Sequence, residues 1–201
     1  MEITAEQVRS LREKTGVGLM DCKEALKATG ANMDKAVDYL REKGLAKLAK
    51  RSARAASEGL VYSYIHTGGK VGTMVEVNCE TDFVAKTDDF QAFAKDVAMQ
   101  ITAANPTYIA REDIPDEVKE KEKEIYRNQA RESGKPEKIL DKIAEGKLEK
   151  YFQEVCLLEQ PFIKDPDVTI KKLLEGLVTK LGEKILVRRF TRFQLGETSE
   201  S

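Results

Sequence analysis

The residues able to carry out covalent chemistry are few in this sequence. Its thiols belong to Cys22, Cys79 and Cys156. These cysteines are widely spaced, odd in number and without a CxxC pair, so no structural zinc or other metal site is expected. His66 is the only histidine, and no nucleophile motif or glycine-rich phosphate loop accompanies it. The sequence therefore favours a protein that acts by binding, without a cofactor.

One enzymatic alternative is a thiol enzyme built on Cys79, which is followed by Glu80 and Asp82. No general base lies near this thiol in the sequence. Free cysteines in a reducing compartment are more often small buried residues. Loss of activity on blocking the thiols would identify this alternative.

The composition excludes several classes of protein. The 201 residues are 41% apolar and 34% charged, and 34 Lys and Arg stand against 35 Asp and Glu. This balance argues against a dedicated nucleic-acid binder and against an acidic disordered chain. The sequence has no apolar run long enough for a membrane span and no apolar signal core, so a cytoplasmic protein is expected. The length predicts one or two domains.

Three short helices are predicted before residue 45, and they must position any residue that acts in this region. Thr4 and Gln7 have the spacing of a capping box at the first helix. Asp21 is predicted to cap the second helix, and Asn32 to cap a third that ends at Gly44. We expect a three-helix domain that, with its linker, spans residues 1–54, followed by a core domain over residues 55–201.

Residues 46–54 predict a basic helical linker. Its cations are Lys47, Lys50, Arg51 and Arg54. Because no aromatic residues are interleaved with them, a solvated linker is favoured over a nucleic-acid contact. The same cations, together with the charged helical hairpin predicted further along the chain, support an alternative function, a ribosome- or RNA-associated helical adaptor.

From residue 58 the pattern becomes that of strands. Residues 60–66 and 71–79 alternate in polarity around Gly68 and Gly69, which predicts a β-hairpin. Asp88 is predicted to cap a helix that runs to about Ala103. Residues 185–195 are predicted to form one further strand. The expected fold is α+β, with a small antiparallel three-stranded sheet packed by helices.

A charged helical hairpin is predicted over residues 115–158, inserted in the core domain. Its helices span residues 116–133 and 136–158, with an interruption expected at Gly146. Its apolar positions are sparse: Val118, Ile125, Ile139, Ile143 and Leu148. Narrow apolar stripes on two helices joined by a short turn favour a projecting hairpin. An amphipathic helix is predicted to follow over residues 169–181.

Two long motifs resemble signatures of a known family. Residues 11–26 read LREKTGVGLMDCKEAL, and residues 76–86 read EVNCETDFVAK. Both resemble the bacterial elongation factor Ts family, and shorter matches extend the resemblance, in order, over nearly the whole chain. Motifs of this length are far more specific than an isolated short pattern.

The resemblance implies a guanine-nucleotide exchange factor that performs no covalent chemistry. The implied partner is elongation factor Tu, in its GDP-bound and nucleotide-free forms, with no direct contact to nucleic acid or membrane. The resemblance also implies that the three-helix domain is UBA-like and docks on the partner's nucleotide domain. The positions that match the family's docking surface are Arg12, Met20 and Lys23. The segment that matches the one intruding beside the partner's magnesium site is Thr81, Asp82, Phe83 and Val84.

The interpretation of that segment has alternatives. Phe83 is either a core aromatic or an exposed side chain that inserts into the partner. Asp82 could cap the turn and thereby position Phe83.

His66 is either an ordinary strand histidine or a second partner contact, since Tyr64-Ile65-His66 resembles a hairpin found in the second module of longer family members.

The sequence also predicts a homodimer. Longer members of the family contain two copies of the hairpin-and-helix module, whereas this chain contains one. A three-stranded sheet leaves an open edge and a poorly covered face, which proteins usually protect. Two copies related by a twofold axis would rebuild the two-module platform and form a 2:2 complex with the partner.

Overall fold

A computed structural model describes residues 3–15 and 17–197, without the side chains of residues 45–52. The helices are α1 (Ala5–Thr15), α2 (Leu19–Ala28), α3 (Met33–Ser52), α4 (Asp82–Ala85), α5 (Asp88–Ala104), α6 (Asp116–Glu132), α7 (Glu137–Val155) and α8 (Ile170–Leu181). The strands are β1 (Glu58–Ile65), β2 (Val71–Cys79), β3 (Pro161–Phe162), β4 (Asp165–Thr169) and β5 (Leu186–Gln194). The mixture of helices with a small three-stranded sheet confirms the α+β prediction.

The described residues form two compact units. One contains those of Met1–Gly59, Asn78–Phe90 and Leu174–Leu186, and the other contains those of Leu60–Val77, Gln91–Leu173 and Val187–Ser201. The domain boundary expected after residue 54 stays a prediction. None of the described helices is long and apolar enough to cross a bilayer.

The three N-terminal helices pack around one small apolar core. The capping box is formed, with Thr4 N donating to Gln7 Oε1 at 3.0 Å and Gln7 N donating to Thr4 Oγ1 at 3.2 Å. Asn32 caps α3 by accepting from Lys35 N at 3.0 Å. The buried members of this core are Val8, Leu11, Cys22, Ala25, Leu26, Ala36 and Leu40. These contacts hold α1 and α2 in place, and with them the predicted docking residues.

Two predicted helix boundaries in this region are wrong. The N-cap of α2 is Gly18, so Asp21 lies inside the first turn, where a carboxylate still interacts favourably with the helix dipole. Helix α3 continues through Gly44 to Ser52, since one glycine costs a helix only about 1 kcal/mol. Gly16 and the side chains of the linker cations Lys47, Lys50 and Arg51 lie outside the described residues.

The predicted hairpin is present and forms an antiparallel sheet in the order β1-β2-β5. On β2, Thr73, Val75 and Val77 are buried, and Thr73 Oγ1 lies 2.9 Å from Thr102 Oγ1 on α5. The α5 helix therefore covers the inner face of the sheet. Asp88 is the first residue of α5 rather than its cap; Thr87 Oγ1 accepts from Phe90 N at 3.3 Å.

The charged hairpin is formed by α6 and α7, which lie against each other. Helix α7 passes Gly146 without a break and ends at Val155, so the predicted interruption is wrong. Ion pairs between the two helices join Lys123 to Glu145, Arg127 to Asp141 and Arg131 to Glu137.

Of the apolar positions named for the hairpin, Val118 and Leu148 pack against a buried cluster that contains Phe152. Ile125 and Ile139 are 37% and 40% exposed. The buried side chains of the two helices are Ala130, Leu140, Ala144 and Phe152. At the base of the hairpin, Arg111 bonds Glu149 and Glu159 and stacks on Phe152, 4.9 Å from the ring centroid. The small antiparallel hairpin of β3 and β4 was not predicted.

Candidate functional site

The TDFV segment forms one capped helical turn, α4. Thr81 is its N-cap, with φ −131° and ψ 153°, and Thr81 Oγ1 accepts from Val84 N at 3.4 Å. Asp82 is therefore the first helical residue rather than the cap. Its carboxylate accepts from Lys86 Nζ at 2.6 Å, one helical turn later, and this bond lowers the pKa of Asp82.

Phe83 points away from the protein. Its side chain is 80% exposed, whereas Ala85 in the same turn is 8% exposed. The turn thus buries its C-terminal end and presents the phenyl ring to solvent. The alternative that Phe83 is a core aromatic is wrong. A large exposed aromatic on a backbone-bonded turn is suited to insert into a partner's pocket.

A distant residue anchors the start of this turn. Glu183, between α8 and β5, accepts hydrogen bonds from Glu80 N at 3.1 Å and Thr81 N at 3.0 Å. It also accepts one from Thr81 Oγ1 at 2.6 Å. Sequence reasoning missed Glu183, because it lies 102 residues after Thr81 in a stretch without a motif.

The thiol of Cys79 lies beneath the same turn. It is fully buried, and its Sγ donates to Thr81 O at 3.1 Å. Burial, assisted by the negative charge of Glu183, raises the pKa of Cys79 to about 11. Because a nucleophilic cysteine needs its thiolate, this environment argues against the thiol-enzyme alternative. Within the described residues, no three His, Cys, Asp or Glu side chains are grouped so that they could hold a metal ion.

The predicted docking residues of the N-terminal helices lie at the surface. Met20 is 74% exposed, and the side chains of Arg12 and Lys23 are also exposed. Leu19, the neighbour of Met20 on α2, is 50% exposed and was not predicted. No sequence signal indicated this exposure, because a leucine in an amphipathic helix is usually on the buried face.

His66 lies in the loop that follows β1 and is exposed. Its Nδ1 is 3.1 Å from Tyr64 Oη, and the two ring centroids are 6.1 Å apart. Tyr64 therefore restricts the orientation of the imidazole. This arrangement is compatible with a contact residue, and that role stays a prediction.

The outer face of the sheet, opposite the face that α5 covers, is rich in exposed apolar side chains. They are Val61 (63% exposed), Ile65 (66%), Met74 (50%), Phe193 (71%) and, just beyond β5, Leu195 (76%). On the same face, Arg189 Nε donates to Glu76 Oε2 at 2.7 Å. Apolar surface of this kind is typical of protein–protein interfaces. We call it the outer sheet face.

Comparison with known proteins gives a consistent family. The model of the family described as Elongation factor TS matches residues 20–197. The Elongation factor Ts of Heliobacterium modesticaldum is 63% identical over 195 residues, which cover 97% of this chain and 91% of that protein. The protein of the same name from Carboxydothermus hydrogenoformans is 59% identical, with 97% and 90% covered. That from Geobacter sulfurreducens is 58% identical, with 100% and 93% covered.

Proposed function

Because this chain belongs to the elongation factor Ts family, we propose that it is a guanine-nucleotide exchange factor for elongation factor Tu in translation elongation. It binds the GDP-bound partner in the cytoplasm and promotes release of GDP. It performs no covalent chemistry and needs no cofactor of its own.

The observation that carries this proposal is the exposure of Phe83 on a turn fixed by its backbone. A magnesium–phosphate site depends on close and rigid coordination. An aromatic side chain inserted beside such a site displaces the groups that support it and so weakens nucleotide binding without touching the nucleotide. Asp82, paired with Lys86, and Val84 complete the turn that presents the ring.

Exchange of this kind follows from linkage between two binding equilibria. The factor must bind the nucleotide-free partner more tightly than the GDP-bound partner. GDP then weakens binding of the factor by the same ratio by which the factor weakens binding of GDP. If the factor destabilises bound GDP and this lowers the barrier to release, every ~1.4 kcal/mol makes release about tenfold faster.

We assign docking on elongation factor Tu to the three N-terminal helices, which we propose form a UBA-like domain. Met20 offers a flexible apolar contact, a type of side chain that adapts to a partner's surface. Arg12 and Lys23 add positive charge at the same helices, and such charges mainly affect the rate of association. His66 is assigned a second contact with the partner.

The outer sheet face is assigned to a second copy of this chain. Its exposed side chains offer an apolar surface, and the charged pair of Glu76 and Arg189 lies on the same face. An isologous sheet-on-sheet contact would cover this face in both copies and would give a 2:2 complex with elongation factor Tu.

The test is release of a fluorescent GDP analogue from purified elongation factor Tu by a substoichiometric amount of this protein. We expect release to accelerate with repeated turnover, and excess GDP to dissociate the complex of the two proteins. Unchanged release would reject the proposal. Binding to ribosomal RNA that falls steeply with salt, without any exchange activity, would instead support the RNA-associated adaptor.

A further inference from the structure

The segment before Phe83 and the loop between α8 and β5 are bonded reciprocally. The Glu183 carboxylate accepts from two backbone N–H groups and one hydroxyl of residues 80 and 81. In return, the Glu80 carboxylate accepts from Lys184 N at 2.6 Å. Each segment therefore gives a carboxylate to the backbone of the other. Hydrogen bonds to charged groups are roughly twice as strong as those between neutral groups.

The turn that carries Phe83 is also held by the bond from Cys79 Sγ to Thr81 O and by the burial of Ala85, but its own helical hydrogen bonds contribute little. A helix of four residues lies below the length at which helical hydrogen bonds offset the cost of nucleation. Phe83 is 80% exposed, so its own packing does not orient it. The Asp82–Lys86 pair is exposed, and such pairs contribute little.

The hydroxyl of Thr81 connects the anchor to the turn. It donates to Glu183 Oε1 at 2.6 Å while its oxygen accepts from Val84 N at 3.4 Å. The short bond to Glu183 fixes the rotamer of Thr81 and directs the hydroxyl lone pair at Val84 N. The hydroxyl of Thr81 thereby links the Glu183 carboxylate to the N-cap bond of α4.

We propose that Glu183 is a positioning residue for nucleotide exchange, which acts by fixing the N-terminus of the turn that presents Phe83. This inference rests on the proposed role of Phe83. Glu183 itself need not touch the partner, because its carboxylate oxygens are used by the backbone and hydroxyl of the turn.

The test compares Glu183→Ala with Asp89→Ala as a matched control. Asp89 also forms a carboxylate bond in the same unit, at 2.7 Å to Lys180 Nζ on α8, outside the turn. We expect Glu183→Ala to lower the maximum rate of stimulated GDP release about tenfold, which is within the roughly hundredfold loss that a displacement of about 1 Å can cause. The concentration of factor giving half the maximum rate should stay within about twofold, because docking is assigned to other residues.

Two further measurements separate positioning from a general loss of structure. Amide hydrogen exchange should become faster at Glu80 and Thr81 in Glu183→Ala while α5 keeps its protection. Glu183→Gln, which keeps one acceptor oxygen, should recover part of the lost rate. If Glu183→Ala does not fold, Glu183→Gln and Thr81→Val provide the same comparison. Equal losses in Glu183→Ala and Asp89→Ala would overturn the proposal.

A double-mutant cycle with Phe83→Ala separates this inference from the proposed function. If Glu183 acts through Phe83, Glu183→Ala should cause no further loss in the Phe83→Ala background. If Phe83→Ala exchanges normally, the proposed role of Phe83 fails, and this inference fails with it. If Phe83→Ala is impaired and the two losses multiply, the role of Phe83 stands and the positioning role of Glu183 is rejected.

Discussion

Ile65 on β1 lies over Gly72 on β2. A Cβ atom at Gly72 would collide with Cδ1 of Ile65 and would lie 3.2 Å from the carbonyl oxygen of Tyr64. The missing side chain at Gly72 lets Ile65 lie flat across the neighbouring strand. This packing leaves Ile65 66% exposed. It contributes to a flat apolar surface against which another sheet could pack.

We predict that Ile65→Lys prevents dimer formation. A charge placed on the outer sheet face would be desolvated in the dimer without a partner, at a cost of several kcal/mol. Light scattering at micromolar concentration should give the mass of a dimer for the wild type and of a monomer for the variant. Ile163→Lys is the control, because Ile163 is also exposed, at 42%, but lies outside the sheet. A wild-type protein that is strictly monomeric with full exchange activity would refute the dimer.

We predict that Lys23→Ala weakens docking on the partner without changing the maximum rate of GDP release. The half-saturating concentration of factor should rise by about twofold to fivefold at low salt, with the maximum rate unchanged, because an exposed interfacial charge mainly affects association. Lys35→Ala is the control, because Lys35 is also an exposed lysine of the N-terminal helices but lies on α3, whereas Lys27 would share the face of Lys23 on α2. Stopped-flow release measured over a series of factor and salt concentrations gives both parameters. An equal effect of the two substitutions would remove Lys23 from the docking surface.

Local signals made much of the fold predictable. The bonds that Thr4 and Asn32 make at helix starts depend on residues three positions away, so the spacing alone identifies them. Asp21 and Asp88 misled the prediction because a capping residue type does not fix where a helix must begin. At α5 the neighbouring hydroxyl of Thr87 is the cap, and Asp88 occupies the first turn, which also favours a carboxylate.

The exposure of Phe83 and the contacts that hold its turn could not be predicted from local sequence signals. The exposure of Phe83 was left open by the sequence, because phenylalanine is usually buried and only the tertiary structure shows which side of the turn faces solvent. Glu183 meets Thr81 only because the chain returns to the end of β2 after α8. A contact between residues so far apart has no periodicity or motif that a single sequence reveals.

We predict that stability falls at alkaline pH because of the buried thiols of Cys22, Cys79 and Cys156, since burial raises the pKa of each. Burial raises the pKa of Cys79 and of Cys156 to about 11 each. A thiol with a raised folded-state pKa contributes stability that is fully present below the unfolded-state pKa and is lost as the pH rises towards the folded-state value. The loss should therefore occur between pH about 8.5 and 11.

The corresponding measurement is denaturant unfolding of the wild type and of Cys79→Ala at pH 8 and pH 10.5. Cys79→Ala should be less stable than the wild type at pH 8, because it loses a buried sulfur. It should then lose less stability than the wild type on going to pH 10.5, by on the order of 2 kcal/mol. Parallel losses in the two proteins would show that Cys79 does not titrate in this range.

The final prediction concerns Phe83. Phe83→Ala should leave the melting temperature nearly unchanged, because the ring is 80% exposed and little core is removed. Aromatic anchors at interfaces commonly cost about 2 kcal/mol or more on truncation. If this cost falls wholly in the release barrier, stimulated GDP release should slow by roughly thirtyfold. Asp82→Ala should have a smaller effect, since it removes only the exposed pair with Lys86.

The measurement pairs thermal melting with stopped-flow release of a fluorescent GDP analogue. Phe90→Ala serves as the control for a true core position, since Phe90 is fully buried and its truncation should destabilise the fold by about 3–5 kcal/mol. A normal rate of stimulated release per folded molecule in Phe83→Ala would rule out insertion of the ring. An unchanged melt with exchange lost is the outcome that an inserted, exposed aromatic requires, because the ring then acts on the partner's site and contributes nothing to its own fold.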